Sequence, residues 1–166
     1  MKSASSGNGT FSPRRTLLFG MLAVGTIDIC WAFLVSGLQG TGPISVLQSV
    51  AGGWLGKATY DGGLATAFLG MFTHYFIAGS VVTVYYLVSR KLPQLARQPF
   101  LYGPLYGALV YLVMYQFVIP MSAWHGSGLH PVDHTANFLK GLFIHLFGIG
   151  VVAALVVRKG TPTQPA

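Results

Sequence analysis

Apolar residues fall into four long runs, at about 16–39, 64–88, 101–122 and 135–157, separated by short stretches rich in Gly, Pro, Ser, Lys and Arg. Each run is near the roughly 20 residues that an α-helix needs to cross a hydrocarbon core about 30 Å thick. The pattern predicts an all-α integral membrane protein, a bundle of four transmembrane helices. A shorter periodic segment lies between the first two runs, at 43–58. Pro43 suits a helix N-terminus, and Ile44, Leu47, Val50, Ala51, Trp54, Leu55 and Ala58 then recur at helical spacing, with Ser45, Gln48, Ser49 and Gly52 on the opposite side. This predicts a short amphipathic helix at the outer interface, or a re-entrant one if Gly52-Gly53 breaks it. It would serve as a lid packed on the bundle or as a substrate gate.

Charge sets the direction of the helices. Lys2, Arg14 and Arg15 precede the first run, Arg90, Lys91 and Arg97 join the second to the third, and Arg158 and Lys159 follow the fourth, leaving only Lys57 and Lys140 on the other side. Basic residues mark cytoplasmic loops, so both termini are expected in the cytoplasm. The first run exceeds the 7–15 apolar residues of a signal-peptide core, and no Ala-x-Ala site follows it, so it reads as a span. Residues 1–13 and 159–166 read as disordered cytoplasmic tails around a transmembrane domain at 14–158. Trp31, Tyr60, Tyr85, Tyr86, Tyr102 and Trp124 are candidates for the interfacial aromatic belts.

Composition narrows the classes further. Of 166 residues 52% are hydrophobic and only 8% charged, against about 25% charged in soluble domains. The net charge of +7 does not point to nucleic acid, because the basic residues sit in pairs beside apolar runs; the partner they imply is the lipid bilayer. Cys30 stands alone, which rules out an internal disulfide and is consistent with a small packed residue. There is no nucleophile–base motif, glycine-rich phosphate loop or pair of carboxylates, which points away from an enzyme.

Candidate chemistry lies inside the spans, where an ionisable residue is expensive and is by default a functional-site hypothesis. Asp28, His74 and His145 each lie about ten positions from an outer helix end, roughly 15 Å deep. Each shares a helical stripe with small residues: Gly25, Asp28, Ala32 and Ser36; Gly63, Ala67, Gly70, His74 and Ala78; Asn137, Gly141, His145 and Gly148. Small residues mark faces where membrane helices approach closely, so the three side chains are expected to face one another in one layer and to titrate as a coupled unit. Such a cluster would serve proton-linked transport or sensing of a small solute or ion. Alternatives are bis-histidine haem or metal ligation in electron transfer, and a hydrogen-bonded register pin in a structural or accessory subunit. In the outer loop, His125, His130, Asp133 and His134 form a second candidate set, for a metal. Gly103-x-x-x-Gly107, then Met114, bring the third span to the same bundle, and exposed glycine-rich faces would permit a homo-oligomer or a membrane-complex partner.

Several of these residues carry a resemblance. Gly25-Thr26-Ile27-Asp28, Pro43 to Gln48, Gly56 with Gly62-Gly63, Leu69-Gly70 with His74, Tyr106-Gly107 with Tyr111 and Met114, Pro120-Met121-Ser122 and His145 together resemble the YagU-like group of small bacterial inner-membrane proteins, over about residues 16–157. The resemblance implies a helical bundle in a bacterial inner membrane. It implies no activity, since that group has none assigned.

The topology is testable with a reporter active only in the periplasm. Fused after Trp124 it should be active, and fused after Ala166 inactive; activity at the C-terminus would refute the N-in, C-in arrangement.

Overall fold

The structure, a computed structural model, describes residues 11–126 and 135–160, and among these every regular element is helical. Helix α1 (Pro13–Gly37) starts at Ser12, whose side chain accepts the Arg15 N–H, while Pro13 takes the first helical position, where its missing N–H is not needed. The span therefore begins at Pro13, ahead of the expected Thr16 and within the stretch assigned to the tail. Next come α2 (Pro43–Leu55), a 3-10 stretch (Gly56–Gly62), α3 (Gly63–Lys91) and the short α4 (Gln94–Arg97). Helix α5 (Pro99–Met121) includes a π stretch at Met114–Val118, and the single turn α6 (Ala123–Gly126) follows it. The last helix, α7, runs through Thr135–Phe143, a π stretch at Ile144–Val151, and Val152–Gly160. It continues past the expected end because Gly160 packs on the Thr16 side chain and the Lys159 carbonyl accepts the Phe11 N–H.

Four helical segments, carried by α1, α3, α5 and α7, are long and apolar enough to cross a membrane. Their outward faces are apolar: Phe68, Phe72 and Phe76 on α3 are 74%, 70% and 63% exposed, and Leu18, Leu22, Leu105, Leu109 and Phe117 are also exposed. Such a surface suits hydrocarbon and not water. Cys30 is on it, exposed rather than packed. Arg14, Arg15, Arg90, Lys91, Arg97, Arg158 and Lys159 gather at one end, since α1 starts where α7 and the α3–α5 connection finish. We call this the basic end, and the other the α2 end.

At the basic end the bundle is closed. Val24, Ala78, Val82, Ile149, Ala153 and Val157 form its core together with Tyr85 and Tyr86, which are buried here rather than placed in an interfacial belt. Tyr85 donates to the Leu95 carbonyl at 2.8 Å and Tyr106 donates to that of Val81 at 2.6 Å, which ties α5 to α3. Buried tyrosines in an apolar core need such acceptors.

Glycines let backbones touch. A Cβ on Gly107 would overlap the His145 carbonyl oxygen, and one on Gly150 would overlap that of Gly103, so α5 and α7 meet main chain to main chain. Likewise a Cβ on Gly70 would overlap the Leu47 carbonyl oxygen, seating α2 on α3. These glycine stripes are therefore occupied by neighbouring helices of the same chain.

Helix α2 is re-entrant, and its buried face mixes the two expected sides. Val46, Gln48, Ala51 and Gly52 are buried, whereas Ile44, Trp54 and Leu55 are exposed. Its contacts advance along both helices together: Gln48 meets Gly63 and Thr66, Ala51 meets Gly70, and Trp54 meets Thr73. Helix α2 thus runs broadly in the same sense as α3, and the 3-10 stretch doubles back beside it. Gly52-Gly53 does not break the helix; the break comes at Gly56, whose φ of 59° is open to glycine. Side chains close the returning backbone: Thr59 donates to Gln48 O at 2.8 Å, Thr66 to Thr59 O at 2.7 Å, Gln48 to Gly63 O at 3.0 Å and Trp124 to Ser49 O at 2.8 Å. Irregular backbone at membrane depth is tolerated only when satisfied inside the protein in this way.

These contacts separate two glycines of similar appearance. Gly107→Ala should destabilise the protein by about 1–3 kcal/mol through overpacking. Gly53→Ala should be neutral or stabilising, because its Cβ would meet only Ser122 Cβ at 3.9 Å. Thermal unfolding of the two variants in detergent checks the contrast, and equal effects would refute it.

Candidate functional site

Two consecutive residues on α1 clasp two on α3. His74 Nε2 lies 2.8 Å from the Gly25 carbonyl oxygen, and the Tyr75 and Thr26 hydroxyls are 2.9 Å apart. Gly25 has to be small, because a Cβ there would come within 2.7 Å of the Tyr75 ring. A carbonyl only accepts, so His74 carries its hydrogen on Nε2 and is buried. Haem or metal ligation through Nε2 of His74 would break this bond.

His145 is held differently. It sits in the π stretch of α7, where Nδ1 donates to Gly141 O at 2.8 Å across the transition from the α to the π ladder. Among the described residues its Nε2 has no hydrogen-bond partner. The ring packs edge-on against Tyr111, with centroids 5.1 Å apart, and lies 6.4 Å from Tyr115, itself 4.3 Å from Tyr111. The facing π stretch of α5 supplies Tyr115, so both helices widen at this level; π bulges recur at functional sites.

Asp28 completes the layer expected from depth and face. Half-buried on α1, it lies within electrostatic reach of both His145 and His74, and Tyr115 also senses it. The structure thus places the two histidines within electrostatic reach of Asp28, but not in direct contact: among the described residues Asp28 makes no hydrogen bond or ion pair, and no group of three candidate ligands could hold a metal. The second set fares otherwise: His130, Asp133 and His134, with the side chain of His125, lie outside the described residues.

Beside this layer is a half-open chamber of about 820 Å³ that the sequence did not reveal, with Trp54, Val118 and Met121 exposed along its rim. Its walls are α2 (Ser49, Val50, Gly53, Trp54), α3 (Thr73, Ile77), the outer part of α5 (Met114, Tyr115, Val118) and the turn at Ser122 to Trp124. It forms where α5 leans onto α7 and away from α3. Tyr115 is a wall shared by chamber and layer: it lines the cavity, while its hydroxyl lies 3.5 Å from where a Cβ on Gly141 would be. The hints in the sequence were Thr73 beside His74 and Tyr115 one turn beyond Tyr111, both polar groups within spans.

Against known proteins, the chain matches no family model, no curated protein and no solved structure.

The two histidines should show opposite tautomers at a pH where both are neutral. Nitrogen-15 NMR of selectively labelled protein is expected to place the hydrogen of His74 on Nε2 and that of His145 on Nδ1. Two Nε2–H rings would refute the assignment for His145.

Proposed function

We propose that this chain is a multi-pass protein of a bacterial inner membrane that transports or senses a small solute, with a proton exchanged at the Asp28–His145 pair. The observation that carries this reading is Tyr115, which lines the chamber and stands beside His145 and Asp28. A solute that displaces Tyr115 changes the surroundings of two titratable groups, and protonation of those groups changes the wall against which the solute binds. Such reciprocity is what linkage between two ligands requires.

His145 suits the proton role because its ring lies beside Tyr115, which lines the chamber, whereas His74 bonds the Gly25 carbonyl and serves to position α1 and hence Asp28. A lone carboxylate at this depth is unstable as an anion unless a cation or donor is near. Direct hydrogen bonds between membrane helices average only about 0.6 kcal/mol, so an acid and an imidazole held apart are a poor device for stability alone.

The basic end is assigned to the cytoplasm, which leaves the chamber in the periplasmic half. Positive charge at the C-terminal turns of α3 and α7 would favour the helix dipole in any case. Arg14 and Arg15 occupy the first turn of α1, where the dipole opposes them, so topology is the better account of their position. The resemblance to YagU-like proteins supports the same membrane.

Proton flux tests the reading. Purified protein in liposomes carrying an internal pH dye should pass protons under an imposed potential, or on addition of a transported solute, above the protein-free background. Asp28→Asn and His145→Ala should fall to that background while His74→Gln retains flux. Flux at wild-type level in both Asp28→Asn and His145→Ala would overturn the proposal.

A further inference from the structure

Within the reading of the chamber as the solute site, its lining specifies the chemistry of the solute. Among the described residues none of the lining side chains is charged. Val50, Ile77, Met114, Val118, Ile119 and Met121 supply apolar wall, and Trp54 adds a broad ring. An ion entering such a space loses hydration worth several kcal/mol and finds no counter-charge in the wall. Asp28, whose charge reaches Tyr115, is not among the lining residues.

The polar atoms of the lining can be followed one by one. Ser49 donates to Val46 O at 2.7 Å and Ser122 to Ile119 O at 2.7 Å. Trp124 Nε1 donates to Ser49 O at 2.8 Å, and Trp54 Nε1 to Thr73 Oγ1 at 3.0 Å. The Tyr115 hydroxyl is on the α7 side of its ring. Thr73 remains: its oxygen accepts from Trp54, and among the described residues its own hydrogen has no acceptor. Thr73 is also the residue before His74, at the level of the ionisable layer, and is buried. The Trp54 bond satisfies its oxygen, so what Thr73 offers a ligand is the hydroxyl hydrogen.

We propose that the chamber binds an uncharged, largely apolar small molecule that presents one hydrogen-bond acceptor to the Thr73 hydroxyl. The volume of about 820 Å³ is in the range of sites for small organic ligands. Flat ligands fit the two indoles of Trp54 and Trp124, and these indoles also provide the readout.

The experiment uses the full chain carrying Trp31→Phe in lipid nanodiscs, so that all tryptophan emission comes from the chamber. Three quenchers of similar shape are titrated at one pH: neutral 4-nitroanisole, anionic 4-nitrobenzoate and cationic 4-nitrophenyltrimethylammonium. Saturable quenching by the neutral compound alone is expected. Gly53→Phe, whose side chain would project into the chamber from a position with free space, should abolish saturation. Thr73→Val, which keeps shape and removes both the donor and the acceptor of the Trp54 N–H, should weaken binding of 4-nitroanisole about three- to tenfold, while Thr73→Ser, which keeps both, should bind as the wild type does; this pair covers the case in which Gly53→Phe does not fold. The proposal is overturned if a charged quencher saturates in place of the neutral one, or if neutral quenching is linear and unchanged in Thr73→Val. It is also overturned if phospholipids brominated along the acyl chain quench both indoles and nitroanisole does not relieve it, since a lipid tail is then the occupant. No pH gradient is used, so loss of proton flux leaves this result standing, and a failure here leaves the proton-flux result standing.

Discussion

Main-chain contact between α5 and α7 is the constraint from which the rest of the architecture follows. In hydrocarbon, apolar side chains gain little by leaving lipid for each other, and helices associate best where small residues let their backbones approach. Gly103 and Gly107 bring α5 onto Gly150 and onto the carbonyl of His145. That contact fixes His145 in depth and rotation and brings Tyr111 and Tyr115 around its ring. It also inclines α5 toward α7. The tie to α3 is then made by a long side chain, Tyr106 to Val81, near the basic end. Beyond that tie the two helices diverge, and the divergence is the chamber.

Helix α2 enters this gap with Gln48 buried beside Val46, Ala51 and Gly52. The side chains at its buried face are engaged in closing backbone: Gln48 bonds Gly63, and Thr59 bonds the carbonyl of Gln48 itself. An element that dips into a bilayer and returns must satisfy each turn of main chain from within the protein. Close packing at Gly70 and the ring of Trp124 over Gly52 complete the seat. The chamber wall is accordingly a latched element, with Trp54 and Trp124 as latches that both face the cavity.

The spans were legible because hydrocarbon thickness imposes a length and a composition on any helix that crosses it. The ionisable layer was legible as well: depth follows from residue count, and Gly25, Gly70 and Gly148, all buried, mark the packed faces of their helices. Other features could not be read, each for a physical reason. Periodicity in 43–58 defines a stripe but not the medium it meets, and the face that α2 buries draws on both sides of that stripe. Two adjacent glycines look like a break, yet a helix ends where backbone geometry demands it, and that demand falls on Gly56. Tyr85 and Tyr86 have the composition of a belt, but acceptors on α4 and packing on α7 draw them inside. The chamber depends on how helices lean, which no local pattern encodes.

His74 and His145 have the same depth, similar small-residue stripes and the same chemistry in the sequence, and the fold divides them by what each ring touches. His74 donates from Nε2 to a carbonyl on α1 and rests beside Tyr75, so it ties α1 to α3, and a proton added at Nδ1 would leave that bond in place. His145 donates from Nδ1 within its own helix and packs against Tyr111 and Tyr115. Tyr115 extends that packing to the chamber. Its ring belongs to the wall and its hydroxyl to the side of Asp28 and His145, with a π stretch beneath it in place of a fully regular α ladder. The π stretches of α5 and α7 thus meet at the level where Tyr115 stands between the chamber and the ionisable residues.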